Sequence, residues 1–219
     1  MRKIGLLIII VLGLAGCAST VPYTTPIVPA FTNMPGIYHH VEAGQTLWKI
    51  SRIYAIDLEE ILRVNRNLES SRLEPGQVIF IPNRHNKVEL PVNYTNDDFI
   101  WPLKGRVIAP FGTNYHNLMN KGLNIQPYSN TGIIASRSGK VVFYSSDFGN
   151  FGKVLIIDHG DGLRSVYARN LEVYVRIGEI VKQGALIARA GSVGRDKGTY
   201  LHFEIRKGAN PQNPTFYLP

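Results

Sequence analysis

The sequence predicts an α+β protein in two folded parts, a small βααβ unit followed by a mostly antiparallel β domain. Three observations predict it. Between Tyr38 and Pro82, two short helical patterns sit between two β-like runs. From Phe99 to the end, short β-like runs alternate with glycines and no long amphipathic helix interrupts them. With 219 residues and 44% hydrophobic positions, the chain can bury a real core in one or two domains.

The start of the chain reads differently. Met1-Arg2-Lys3 is basic, Ile4 to Leu14 is apolar, and Leu14-Ala15-Gly16-Cys17 closes the run. Such a segment is too short for a mature membrane span and fits a signal peptide over residues 1–16. Cys17 is the only cysteine, so no intramolecular disulfide can form. Leu-Ala-Gly-Cys resembles the bacterial lipoprotein box, which implies acylation at Cys17 and attachment to a membrane. Ala18 and Ser19 lack the aspartate of inner-membrane retention. The resemblance therefore implies a lipid anchor in the outer membrane, facing the periplasm.

Charge narrows the partners. Twenty-four Lys and Arg, less Arg2 and Lys3 of the leader, against 16 Asp and Glu leave a balance of +6. That excess suits an anionic partner such as cell-wall peptides or an acidic protein face. An exported, anchored chain does not meet cytoplasmic nucleic acid, and no basic cluster interleaved with aromatics is present, so nucleic acid is excluded. Residues 17–36 then hold four prolines and five Ser or Thr between Ala18 and Gly36. This composition favours an extended tether, reaching at most about 60 Å at roughly 3.1 Å per residue.

The βααβ unit spans residues 37–82. Tyr38-His39-His40-Val41 alternates like a strand, Gly44-Gln45-Thr46 supplies a turn and a Thr N-cap, and Leu47, Ile50 and Tyr54 recur at helical spacing. Asp57 caps a second helix with Leu58, Ile61, Leu62 and Asn65, and Leu73-Glu74-Pro75-Gly76 turns the chain into Val78-Ile79-Phe80-Ile81. His39 and His40 point to opposite faces of a strand and cannot chelate one ion together. The matches over Tyr-x-x-Val, Gly-Gln-Thr-Leu-Trp, Asn65 and Leu-x-Pro-Gly-Gln-x-Ile-x-Ile-Pro resemble the LysM domain. That family binds N-acetylglucosamine-containing glycans between two loops. Here the resemblance implies a glycan site of Gly44, Gln45 and Thr46 facing Leu73, Glu74, Pro75 and Gly76, and peptidoglycan as a partner.

Residues 83–98 are polar, with Pro91 and an Asn/Asp cluster, and read as a linker. The second domain spans 99–219. Its β-like runs at Val141–Tyr144, Val154–Ile157, Ser165–Ala168, Leu186–Ala188 and Tyr200–Ile205 suggest an antiparallel sandwich or open barrel. Gly178 to Gly184 resembles the hairpin of biotinyl and lipoyl domains, but it lacks a modifiable lysine flanked by methionines, so no cofactor is expected.

Along Thr199 to Arg206 the two-residue period sends Leu201, Phe203 and Ile205 to one face and Tyr200, His202 and Glu204 to the other. Leu201-His202-Phe203-Glu204-Ile205-Arg206 resembles the last signature of the LytM/M23 zinc endopeptidases. In that family the strand reads His-x-His, and here the first histidine is Tyr200. The family's first two ligands, from His-x-x-x-Asp, fall on Asn120 and Asn124, which are neutral carboxamides and weak donors to zinc. Its additional active-site histidine falls on Arg169, a permanent cation. Catalytic zinc takes about three protein ligands and an open position, and only His202 remains. No metal and no catalytic residues are expected. His116 and His159 lack a ligand partner at usable spacing.

Asn120, Asn124, Arg169, Tyr200 and His202 are expected to converge in a vestigial groove. That groove is either a drifted, dead pocket or a binding site for a protein or glycan; Tyr and Arg are types enriched at interface anchors. The mature chain as a whole resembles the lipid-anchored NlpD/EnvC-type proteins, which pair LysM with a degenerate LytM domain. The resemblance implies a non-catalytic activator of N-acetylmuramoyl-L-alanine amidases during cell separation. A weak zinc-dependent endopeptidase with a rebuilt site and a simple cell-wall tether are the competing readings.

Overall fold

The structure, a computed structural model, describes residues 34–66, 68, 73–83, 98–129, 132–192 and 198–219. The expected signal peptide, Cys17 and most of the two expected linkers lie outside the described residues. The first unit runs β1 (Gly36–His40), α1 (Leu47–Ile53), α2 (Leu58–Val64) and β2 (Val78–Pro82), with β1 and β2 antiparallel. Local chemistry sets each boundary. The Thr46 side chain accepts from the Lys49 N–H at 3.1 Å and the Asp57 carboxylate from the Glu59 N–H at 3.0 Å, so both helices start at the side chains expected to cap them. Asn65, just past α2, donates to the carbonyls of Ile61 and Phe80 at 2.7 Å each and accepts from the Phe80 N–H at 2.9 Å. One buried amide thus ties the helix pair to β2. An apolar residue there would strand backbone groups of both elements.

The second unit contains β3 (Gly105–Ala109), β4 (Asn114–Tyr115), β5 (Leu118–Met119), β6 (Leu123–Pro127), β7 (Gly132–Ile134), β8 (Gly139–Ser145), β9 (Lys153–Asp158), β10 (Leu163–Val173), β11 (Ile180–Val181), β12 (Leu186–Ala190), β13 (Leu201–Lys207) and β14 (Asn210–Gln212). Its main sheet runs β11-β8-β9-β10-β13-β6-β3, with β12 joined to β10 and β7, and β14 to β13; every pairing is antiparallel. The strand expected from Thr199 begins at Leu201. Leu201, Phe203 and Ile205 are fully buried beside Leu123, Ile125, Tyr167 and Leu155, as the period-two reading requires.

Behind the sheet lies a polar cluster that strand alternation does not reveal. His159 Nε2 is 3.0 Å from Ser165 Oγ, Ser165 Oγ donates to the Tyr167 hydroxyl at 3.0 Å, and that hydroxyl accepts from the Ser136 N–H at 2.8 Å. Beside it, Arg137 and Asp161 form a fully buried ion pair at 2.6 Å. His159 is therefore a hydrogen-bonded core residue. Burial pushes its imidazole down to about 4, aided by the Arg137 cation and opposed by the Ser138 carbonyl and Asp161.

The two units pack on each other. Trp48 of α1 stacks on Tyr217 with ring centres 5.4 Å apart, Tyr217 meets Phe99 edge-on at 5.6 Å, and the Arg137 guanidinium lies 5.2 Å from the Phe99 ring. Lys49–Asp98 at 3.5 Å and Lys207–Asp57 at 2.9 Å also cross the junction. Such exposed ion pairs contribute at most about 1 kcal/mol each. Burial of large rings contributes more, at roughly 25 cal/mol per Å² plus about 0.5–1.5 kcal/mol per aromatic pair. The aromatic contact decides the junction.

Candidate functional site

Three segments far apart in sequence build the groove. Pairing of β13 with β6 sets His202 opposite Asn124, and pairing with β10 sets it opposite Ala168, one residue before Arg169. The loop before β6 must pass very close to β13. A Cβ at Gly122 would lie 2.1 Å from the Phe203 carbonyl oxygen, so only glycine fits between Asn120 and Asn124. The β10 ladder slips on both sides, between Tyr167 and Asn170 against β9 and between Asn170 and Glu172 against β12. Arg169 occupies this irregularity with a left-handed φ of 65°. The bulge turns its side chain over the Tyr200 ring, 4.0 Å from the ring centre, and its guanidinium donates to the Gly198 carbonyl at 3.2 Å.

His202 is held on both sides. Its Nδ1 is 2.7 Å from Asn124 Oδ1 and its Nε2 is 3.0 Å from Glu204 Oε1. Glu204 in turn accepts from Arg206 at 2.5 Å. Burial opposes ionisation of Glu204, but the hydrogen bonds and charges of His202 and Arg206 outweigh it and hold its carboxyl below the usual range. Asn120 is equally committed: its amide N–H group donates to the carbonyls of Ala109 at 2.8 Å and Pro110 at 3.1 Å, while its oxygen accepts from the Gly122 N–H at 3.3 Å.

This arrangement does not fit the zinc of the LytM family. Both carboxamides already serve neighbouring groups, and neither His202 nitrogen offers an unshared lone pair without breaking a buried hydrogen bond. Arg169 places a fixed cation nearby. Among the described residues, no three His, Cys, Asp or Glu side chains gather as a metal-binding group.

What remains is a cavity of about 1220 Å³ lined by all five expected residues. They do not play equal parts. Arg169 and Tyr200 are only 4% and 6% exposed, so they form the floor of the groove; as protruding interface anchors they would need far more exposure. The rim is apolar and was not legible beforehand. Leu118 and Met119 of the β4–β5 hairpin are 66% and 67% exposed, and Phe148 and Phe151 stand on the opposite side, with Phe151 5.1 Å from the His202 ring. Glu204 and Arg206 could have been found, since they share the two-residue period of His202. The rim residues lie on separate loops and carried no sequence signal.

A second cavity, about 230 Å³, opens between the loops of the βααβ unit. Gly44, Gln45, Leu73, Glu74 and Pro75 line it, together with Pro219. Of the expected glycan-site residues, Thr46 is buried as the cap of α1, and Gly76 gives its N–H to the Val41 carbonyl at 2.8 Å. Those two shape the loops. Gly44 and Gly76 have φ of +77° and +84°, which a side chain resists.

Residues 39–82 match the LysM domain and residues 118–214 match Peptidase family M23. The murein hydrolase activator NlpD of Escherichia coli (strain K12) is 40% identical over 119 residues, covering 54% of this chain and 31% of that relative. The uncharacterized lipoprotein YgeR of the same organism is 27% identical, covering 100% of this chain and 94% of its own length. Among solved structures, a chain of the SpoIIQ-SpoIIIAH pore forming complex superposes with a TM-score of 0.52 at 27% identity, covering 57% of this chain and 92% of that one. The protein spans about a third of the length of its NlpD relative. It thus joins a part that matches the LysM domain to a part that matches Peptidase family M23, and is similar to the NlpD-type lipoproteins.

Proposed function

We propose that this chain is a non-catalytic, peptidoglycan-binding lipoprotein that activates N-acetylmuramoyl-L-alanine amidases during cell separation. Cys17 carries its lipid anchor in the outer membrane, and the folded parts face the periplasm. The observation that carries this reading is the state of His202. In a hydrolase, the last ligand presents a nitrogen to the metal. Here both nitrogens are tied to Asn124 and Glu204, inside a groove that is otherwise intact, wide and rimmed by exposed apolar side chains. A groove that keeps its shape and exposes an apolar rim suits a protein segment better than a substrate to be cut. The name of the NlpD relative, murein hydrolase activator, points the same way.

The LysM part supplies attachment to the wall and the groove supplies the contact to the hydrolase. The deciding experiment incubates peptidoglycan with the purified mature chain, with a periplasmic amidase, and with both. Release of product only when both are present, or much faster with both, is the expected result. Release by the chain alone, lost on chelation, would replace this reading with the endopeptidase. Wall binding without any stimulation would leave a tether.

A further inference from the structure

The cavity between the LysM loops is closed on one side by a residue of the other domain. Pro219 lines it together with Gly44, Gln45, Leu73, Glu74 and Pro75. This residue is fixed in place. Its carbonyl accepts from the Trp101 indole N–H at 2.7 Å, and the preceding Tyr217 and Leu218 are buried, Tyr217 between Trp48 and Phe99. We infer that the saccharide site is a two-domain site, in which an N-acetylated sugar held by the LysM loops also packs against Pro219.

The chemistry of the lining supports a sugar ring. The Gln45 side chain is already engaged, bonding to the Glu42 N–H at 3.1 Å, the Glu42 carboxylate at 3.0 Å and His39 at 2.8 Å. Recognition is left to loop backbone groups and Glu74, with Leu73, Pro75 and Pro219 as apolar surfaces. Two proline rings offer C–H faces that can sandwich the face of a pyranose or an acetamido methyl without rotamer entropy to lose. Because one wall belongs to each domain, sugar binding and domain docking are linked: saccharide bound across the junction stabilises the docked arrangement, and disturbing the docking weakens saccharide binding.

The inference rests on the LysM domain being the glycan-binding part, and its test separates the two. N-acetylglucosamine oligomers are titrated into the mature chain by calorimetry, with tryptophan emission followed in parallel. The chain has two tryptophans, and both Trp48 and Trp101 stand at the junction, so emission reports directly on it. Pro219→Gly removes the ring, and Trp101→Phe removes the N–H that fixes the Pro219 carbonyl while keeping an aromatic ring. Each is expected to weaken binding about fivefold to tenfold with circular dichroism unchanged, and saccharide is expected to shift emission of the unaltered chain. Undiminished affinity in both folded variants would overturn the two-domain site while leaving the LysM reading intact. Failure of the unaltered chain to bind the oligomers would overturn both.

Discussion

His202 Nδ1 and Asn124 Oδ1 lie 2.7 Å apart across the β13–β6 pair, where the M23 pattern would set two metal ligands side by side. In this chain the two positions are joined by a hydrogen bond. The purified mature chain is therefore expected to contain no stoichiometric zinc after incubation with zinc and dialysis, since even losing groups that merely orient ligands costs about 10- to 100-fold in affinity. Elemental analysis checks this. One zinc per chain would mean that His202 gives up its contact with Asn124 or Glu204.

Arg169 over Tyr200 shapes the groove floor, and Leu118 with Met119 forms the exposed rim. Arg169→Ala, Tyr200→Ala and the double change Leu118→Ser with Met119→Ser are each expected to abolish or strongly reduce stimulation of a partner amidase. Losing the side chains that shape the groove floor, or the exposed rim that a partner packs against, is expected to weaken a complex by about 2 kcal/mol, or roughly thirtyfold. Stimulation assays on folded variants give the answer. Normal stimulation by all three would move the contact surface elsewhere.

Burial holds His159 neutral, with its imidazole at about 4. The unfolded chain, with a histidine near 6.5, binds more protons between these values, so stability is present in full above about 6.5 and falls as pH drops toward 4. The loss from this residue is expected to reach roughly 3 kcal/mol at most. Urea unfolding at pH 7, 5.5 and 4.5 measures it, and His159→Gln should flatten the dependence over that window. An equally steep dependence in the variant would assign the effect to other groups.

Gly44 and Gly76 have left-handed φ, and nothing lies within 4 Å of a Cβ added at either. Space is free, so substitution acts through the backbone alone, at about 1–2 kcal/mol per residue. Gly44→Val and Gly76→Val are expected to distort the loops and reduce co-sedimentation with peptidoglycan sacculi while the second domain stays folded. Full sedimentation of both would place wall binding outside the LysM loops.

Much of this protein was legible in the chain itself. Caps at Thr46 and Asp57, the turn glycines and the strand period of Leu201 to Arg206 are local features, set by hydrogen bonds and side-chain directions within a few residues. That Asn120 and Asn124 stand at the spacing of the M23 His-x-x-x-Asp pattern was legible for the same reason, because the motif is short. The state of the groove was not. His202 and Asn124 are 78 residues apart, and Trp101 and the carbonyl it bonds at Pro219 are 118 apart. Strand pairing brings the first pair together, and closure of the second domain, which sets its first residues beside its last, the second. Arg169 illustrates the division: its permanent cation was evident from its identity, but its burial over Tyr200 follows from a bulge in β10 that depends on the registers of the strands on either side. Side-chain type and alternation are properties of a segment, whereas burial and contact arise from pairings between segments, and those are decided only when the whole sheet and both domains close around one core.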